Sequence, residues 1–501
     1  MSTPRQILRR VFGYADYRPS QEEIISEVLS GRDVFVLMPT GGGKSLCYQV
    51  PALVMDGMAL VVSPLVSLMK DQVDALVAQG VRAAYYNSTL QEAEARQVLA
   101  RLHGGVLDLL YVSPERLQQE RFLERLAEVR LSLLAIDEAH CVSQWGHDFR
   151  PDYAQLGSIR DRFLSVPTLA LTATADAQTR KDVVTRLRLR DPRIFVTGFD
   201  RPNIEYRVVE KRNPIGQVQQ VLARHEGESG IIYALSRKRV EEVARKLEAS
   251  GHRAAAYHAG LPANRRRTIH ERFVRDEIDV VVATVAFGMG IDKPDIRFVL
   301  HYDIPKSIEG YYQETGRAGR DGLPSQAVLL LGYQDVMIAR SFVDSSTDPD
   351  QRRVDLHKLN RMVDFAESFT CRRRVLLGYF GESLEAPCGN CDVCKDPPDC
   401  FDGTEVAQKA LSCVYRVGQN YGVKYVVDVL RGVEDERIQR MGHDRLSTWG
   451  IGKDHSAHEW MSYMRQLVHR GYLSQEIANY SVLKLTRSAR EVLDGAVRVD
   501  L

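Results

Sequence analysis

The chain has 501 residues, 44% of them apolar and 27% charged, and its 67 basic and 66 acidic side chains leave a formal charge of +1. At roughly 150 residues per domain this is enough for about three cores, and the balanced charge excludes a global basic field, so any nucleic-acid surface must be local. No apolar run reaches the ~18 residues of a membrane span; the N-terminus lacks the apolar stretch of a secretory signal, and eight cysteines are too few for a disulfide scaffold.

In chain order, Val34-Phe35-Val36-Leu37 is a short apolar run followed by Met38-Pro39-Thr40-Gly41-Gly42-Gly43-Lys44-Ser45. A glycine-rich turn after a strand presents backbone amides to phosphates, and Lys44 would reach the outermost ones. Met38 stands where the strict pattern has glycine, so the match is the core Thr40 to Ser45. Further apolar runs follow at 59–62, 107–112, 133–136 and 168–171. Strands apolar throughout and separated by helical patterns predict a parallel sheet covered on both faces. Asp137-Glu138-Ala139-His140 follows the fourth run. There Asp137 would share Mg²⁺ with Ser45, and Glu138 is a carboxylate placed to orient an attacking water. The two motifs together predict an ATP site.

The strand pattern restarts at 230–233, 280–283 and 298–301, after an extended Arg201-Pro202 step that predicts an inter-domain hinge. A second α/β lobe facing the first should supply charge to the cleft. Gln313-Glu314-Thr315-Gly316-Arg317-Ala318-Gly319-Arg320 fits that need, with Arg320 favoured to reach the γ-phosphate and Arg317 beside it. Residues 350–380 are expected to be helical, with Leu356, Leu359, Met362, Val363 and Ala366 on one face. Cys371 precedes Cys388-Gly389-Asn390-Cys391-Asp392-Val393-Cys394, and four thiolates can close a structural Zn²⁺ site. Cys400 competes for the fourth place. Helical patterns then run from Thr404, through 459–468, to a hairpin strand at 480–485, which suggests a winged helix-turn-helix. On that helix Arg465, His469 and Arg470 are candidate phosphate contacts.

Thr40 to Ser45, the Asp-Glu-Ala-His box, Thr172-Ala173-Thr174-Ala175 and Gln313 to Arg320 together resemble superfamily 2 helicases, and further stretches narrow the resemblance to the RecQ DNA helicases. Phe12-Gly13-Tyr14 with Tyr17-Arg18-Pro19-Ser20-Gln21 resembles that family's adenine-recognition element, implying that Gln21 reads the base while Tyr14 and Arg18 pack on it. Ser143-Gln144-Trp145-Gly146-His147-Asp148-Phe149-Arg150 resembles its aromatic-rich loop, which senses single-stranded DNA. Trp145 and Phe149 offer faces for base stacking, worth ~1–3 kcal/mol per base, and Arg150 could meet a phosphate. Ser63-Pro64-Leu65, Ser113-Pro114-Glu115-Arg116, Ser236-Arg237 and Ala283-Thr284-Val285-Ala286-Phe287-Gly288-Met289-Gly290-Ile291-Asp292 resemble strand-tracking motifs, while Thr172 and Thr174 would relay nucleotide state.

The resemblance implies an α/β fold with two RecA-like parallel-sheet lobes at 1–200 and 201–340. A small helical zinc-binding domain at 341–403 and a winged-helix DNA-binding domain at 404–501 would follow. It also implies Cys371, Cys388, Cys391 and Cys394 as zinc ligands, with ATP, Mg²⁺ and Zn²⁺ as cofactors. The activity expected is ATP-dependent unwinding in the 3′ to 5′ direction, in recombination and repair. Single-stranded and duplex DNA are the expected partners, single-stranded DNA-binding protein is a candidate, and the cytoplasm is the expected location. Many RecQ proteins continue into a further small helical domain beyond the position of Leu501. An RNA helicase would share the two-lobe engine, but the zinc segment and the aromatic loop argue for DNA.

Overall fold

The computed structural model describes residues 3–64, 66–146, 148–288, 293–397, 400–476 and 482–501. Leu65, His147, Met289, Gly290, Ile291, Asp292, Tyr480 and Ser481, named above, lie outside the described residues, as does the side chain of His469. Among the described residues seven strands form the first sheet: β1 (Val34–Leu37), β2 (Met58–Val62), β3 (Ala83–Tyr86), β4 (Leu109–Val112), β5 (Leu131–Ile136), β6 (Thr168–Thr172) and β7 (Arg193–Val196). Their order is β3-β4-β2-β5-β6-β1-β7, with every pairing parallel. The second sheet contains β8 (Ile204–Glu210), β9 (Gly230–Tyr233), β10 (Ala254–Tyr257), β11 (Val280–Ala283), β12 (Phe298–His301) and β13 (Ser325–Leu331). It is also all parallel, in the order β10-β11-β9-β12-β13-β8.

The central strands are apolar throughout because both faces are covered: every residue of β1, β2, β4, β9, β11 and β12 is buried. β1 is fastened at its start. Asp33, buried beside Arg160, accepts the amides of Thr168 at 2.9 Å and Arg190 at 2.7 Å, which ties the entrances of β1, β6 and β7 together. A carboxylate so enclosed is tolerated because its oxygens are all met by donors. The fastening aims the carboxyl end of β1, and the glycine-rich turn that leaves it, at the edge where β5 and β6 also end.

Residues 350–380 are two helices rather than one, Pro349–Glu367 and Arg372–Tyr379. Asp348 caps the first, and the break at Ser368 to Cys371 turns the chain so that Cys371 faces the later cysteines. The C-terminal part packs helices around the buried Trp460, whose indole Nε1 donates to Gly452 O at 2.7 Å. Its hairpin pairs β14 (Leu473–Glu476) with β15 (Val482–Leu485) antiparallel, completing a winged helix. Arg465 is not presented to solvent for phosphate contact. It turns back onto Glu367 and Asp364 of the preceding helix, docking the winged helix on the zinc-binding segment.

Gly230 exposes how tightly the second sheet closes. A Cβ there would lie 2.0 Å from the ring of Phe298, its neighbour on β12. Because that ring is fully buried, Gly230→Ala should destabilise the protein by about 1–3 kcal/mol through overpacking; urea unfolding at equilibrium measures it.

Candidate nucleotide, DNA and zinc sites

Three strand ends build the first half of the nucleotide cleft. The turn after β1 carries Thr40 to Ser45, Asp137 and Glu138 directly follow β5, and β6, which lies between β5 and β1, ends at Thr172. A ligand crevice at the carboxyl ends of a parallel sheet follows from the fold itself. The turn is held by side chains as well as by its own amides. The Lys44 ammonium donates to the carbonyls of Met38 and Pro39 at 3.0 and 3.3 Å, and the Gln21 carboxamide to those of Gly42 and Gly43 at 3.3 and 3.0 Å. Arg18 donates to Gly41 O, and its own amide meets Gln21 Oε1 at 2.9 Å. Gln21 and Arg18 therefore brace the phosphate turn here, while Tyr14 stands exposed at the mouth of the cleft, where a base could lie against it.

Charge is concentrated in little water. Burial pushes the Asp137 carboxyl up to about 7, with the neighbouring Glu138 adding to the shift and Lys44 opposing it. Burial likewise lowers the Lys44 ammonium, against the pull of Glu138 and Asp137. Glu138 adopts φ 48, a left-handed conformation that an L side chain enters at some cost. Its carboxylate lies 3.3 Å from the buried His140, whose Nδ1 is 2.8 Å from Thr172 Oγ1, and that hydroxyl accepts the Thr174 amide at 3.2 Å. A continuous polar chain thus runs from the box to the turn after β6. His140, which the sequence marks only as the last residue of the box, is the link in that chain.

The second sheet supplies the opposite wall. Gln313, Arg317 and Arg320 line the same cleft of about 650 Å³ as Gly41, Gly43, Lys44, Ser45, Asp137 and Glu138. Arg320 lays its aliphatic stem over the turn, its Cγ 3.6 Å from where a Cβ on Gly41 would stand. Arg317 is buried and packs beside Gly288. The wall opposite is thus cationic where the turn would hold phosphates.

The loop after the box is folded on itself. Ser143 Oγ accepts the Trp145 amide at 3.1 Å and donates to Asp182 at 2.6 Å, and a Cβ on Gly146 would meet His140 O at 2.3 Å. Trp145 and Phe149 are half-buried, leaving part of each ring open. Arg150 is committed within the protein, donating to Asp148 at 2.9 Å and to Pro64 O at 2.8 Å, so it ties this loop to the end of β2. In the second lobe Ser236 caps the helix Arg237–Ala249, accepting the Arg239 amide at 3.2 Å; Arg237 is exposed, and Thr284 is half-buried just beyond β11.

The sulfurs of Cys371, Cys388, Cys391 and Cys394 lie within 4.8 Å of one another. Amides of Cys388 and Asn390 donate to the Cys371 and Cys388 sulfurs at 3.4 and 3.3 Å, as they would to thiolates. Hydrogen bonds from Cys388 and Cys391 draw the Cys371 thiol far below its ordinary range, and the bond to Cys371 pushes Cys388 up to about 11. A closed set of four sulfurs with amide donors behind it suits a structural zinc ion. Cys400 is exposed and outside the cluster. Cys47, Cys141 and Cys413 are buried.

The chain matches four domain families. They are the DEAD/DEAH box helicase over residues 18–183, the helicase conserved C-terminal domain over 213–322, the RecQ zinc-binding domain over 333–395 and the RQC domain over 397–501. With the paired parallel sheets, these define a two-lobed helicase-type ATPase. The chain is 49% identical to the ATP-dependent DNA helicase RecQ of Pasteurella multocida, covering 98% of this chain and 78% of that protein. It is 41% identical to the ATP-dependent DNA helicase RecQ of Bacillus subtilis, covering 99% and 84%. Among solved structures, Saccharomyces cerevisiae Dbp5 bound to RNA and ADP BeF₃ shares the fold, with a TM-score of 0.55 at 15% identity over 72% of this chain and 98% of that one. The chain belongs to the RecQ family.

The cysteine-bearing stretch 381–402 buries few apolar side chains, so its fold should depend on the metal. Cys391→Ser is expected to lower zinc content from one equivalent and to melt the protein at lower temperature than the wild type. Metal release under a thiol-modifying reagent, followed with a colorimetric chelator, checks the first point and thermal denaturation the second.

Proposed function

We propose that this protein is an ATP-dependent DNA helicase that moves 3′ to 5′ along one strand and separates duplexes during recombination and repair. The observation that carries the reading is the single cleft holding Lys44, Asp137 and Glu138 of one sheet opposite Gln313, Arg317 and Arg320 of the other. We read the chain as a first lobe over 1–200, a second over 201–340, a zinc-binding domain over 341–403 and a winged helix over 404–501.

In this reading the amides of Gly41 to Gly43 and Lys44 hold the ATP phosphates, and Tyr14 closes over the adenine with Arg18 and Gln21, which exchange their bonds to the carbonyls of the turn for the base when nucleotide enters. Ser45 and Asp137 would hold Mg²⁺, which supplies charge neutralisation across the outer phosphates. Glu138, held in its left-handed turn, orients the attacking water. Arg320 meets the γ-phosphate and Arg317 and Gln313 keep the turn behind it, so hydrolysis depends on the two sheets closing. The chain His140–Thr172–Thr174 transmits the state of Glu138 sideways, toward the loop where Trp145 and Phe149 can stack on bases. Arg150, tied to Pro64, makes that loop move with the end of β2. Ser236, Arg237 and Thr284 grip phosphates from the second lobe, and alternate grip by the two lobes ratchets the strand. The winged helix holds the duplex. Four reduced thiols fit a cytoplasmic protein, and a single-stranded DNA-binding protein is the partner we expect on the released strand.

Strand displacement on partial duplexes with a 3′ or a 5′ single-stranded tail tests this reading. Release from the 3′-tailed substrate only, with Mg²⁺-ATP and lost in Lys44→Ala, is the expected result; release from the 5′-tailed substrate overturns the polarity. Trp145→Ala should cut the stimulation of ATPase by single-stranded DNA while sparing the basal rate. Arg320→Ala should lower the stimulated kcat by on the order of 10³ with ATP still bound, as removal of a transition-state arginine does.

A further inference from the structure

The segment Phe199 to Asn203 that joins β7 to β8 carries a cluster that the cleft alone does not explain. The Arg201 guanidinium donates through Nη2 to the carbonyls of Ala318 and Gly319, each at 2.9 Å, and through Nη1 to Gly316 O at 3.1 Å and Thr40 O at 3.4 Å. The first three carbonyls bracket Arg317 and end one residue before Arg320; the fourth opens the phosphate turn. One planar cation therefore spans both walls of the nucleotide cleft. It also meets backbone oxygens at the end of the helix Ile308–Thr315, where helix carbonyls lack intrahelical partners and favour positive charge.

The segment is held from behind by the zinc-binding domain. The Phe199 ring stacks on Phe380 with centroids 4.4 Å apart and planes 9° from parallel, and the Phe199 amide donates to Glu382 at 2.6 Å. Arg373 pairs with Asp200 at 3.1 Å, and the Asn390 carboxamide donates to Pro202 O at 3.1 Å. On the near side Tyr312 Oη donates to Phe199 O at 2.8 Å. The link between lobes is thus a strap with one face on the zinc-binding domain and the other on the arginine-bearing turn.

We propose that Arg201 is a positioning residue for ATP hydrolysis: through four carbonyls it sets the turn bearing Arg317 and Arg320 against the phosphate loop, with the zinc-binding domain as the fixed wall behind it. The contact to Thr40 is the longest of the four and the only one to cross the cleft, so lobe opening breaks that bond first and carries the arginines away with the strap. This rests on the reading of Arg320 as the group that meets the γ-phosphate. A lysine could not substitute, because a point charge on a flexible stem lacks the fork that reaches four acceptors at once.

The test measures ATP hydrolysis by the full chain at saturating single-stranded DNA for Arg201→Ala, Arg201→Lys and Arg320→Ala, together with zinc content and melting temperature. A displacement of about 1 Å in a transition-state group costs up to ~10²-fold, so Arg201→Ala should lose at least about tenfold in kcat with KM for ATP near the wild-type value. Arg201→Lys should recover little of that loss. Millimolar guanidinium should restore part of the rate of Arg201→Ala and none of that of Arg201→Lys. Wild-type turnover in both Arg201 variants overturns the proposal. So does a loss in Arg201→Ala that follows the folded fraction and is untouched by guanidinium. If the alanine variant does not fold, wild-type turnover in Arg201→Lys is overturning and a low kcat in a folded, zinc-loaded Arg201→Lys is supporting. Full turnover in Arg320→Ala sinks the arginine reading itself, whereas an inactive Arg320→Ala beside a normal Arg201→Ala sinks only the role of Arg201.

Discussion

Two sheets can share one cleft only if something fixes where they meet, and in this chain the short connection between β7 and β8 does so. It is confined on both sides, by stacking of Phe199 on Phe380 and by donation from Arg201 to the turn after the helix Ile308–Thr315. The zinc-binding domain therefore contributes to the nucleotide site without touching it. Its four sulfurs keep Asn390 and the segment around Phe380 in place, and those residues hold the strap. The winged helix is attached one step further out, through Arg465 on Asp364 and Glu367. Ordered this way, the domains form a stack in which each fixes the next.

Burial and electrostatics work against one another at the cleft. Lys44 and Asp137 sit where desolvation penalises charge, and their attraction offsets part of that penalty, while the like charge of Glu138 adds to it at Asp137. Such a group is poised for a ligand that brings its own negative charge and displaces the little water present. The acceptors that hold Lys44 in this state are the carbonyls of Met38 and Pro39, neutral groups that a phosphate would readily outcompete.

How much of this was legible in the sequence depended on how local the signal was. The phosphate turn, the acidic box and the cysteine cluster each lie within a few residues of chain, and the strands of continuous apolar residues stood out. β3 and β10 left no trace because alanine fills two of the four positions of one and three of the four of the other, and alanine has little preference for strands. β7 and β8 lie at sheet edges, where exposure on one side broke the apolar run into Arg193-Ile194-Phe195-Val196 and a mixed stretch from Ile204. The break between the helices near Cys371 carries no proline or glycine, so nothing in the local sequence from Ser368 to Cys371 marked it. Arg201 could be quoted as part of a hinge but not given a purpose, because its partners are backbone carbonyls and any residue type supplies those. Arg465 misled for the converse reason: an arginine on a helix reads alike whether it faces a phosphate or a carboxylate of another domain.

The strand order has a consequence for how the protein comes into being. β1 is flanked by β6 and β7, and the Asp33 carboxylate at its start waits for the Thr168 amide, 135 residues later in the chain. At a synthesis rate of roughly 5–20 residues per second, the apolar run Val34 to Leu37 stays unpaired on the ribosome for on the order of ten seconds. The phosphate turn is thus attached to the strand of the first sheet that is last to be enclosed on both edges. During translation that strand is a natural target for chaperones that bind short apolar segments.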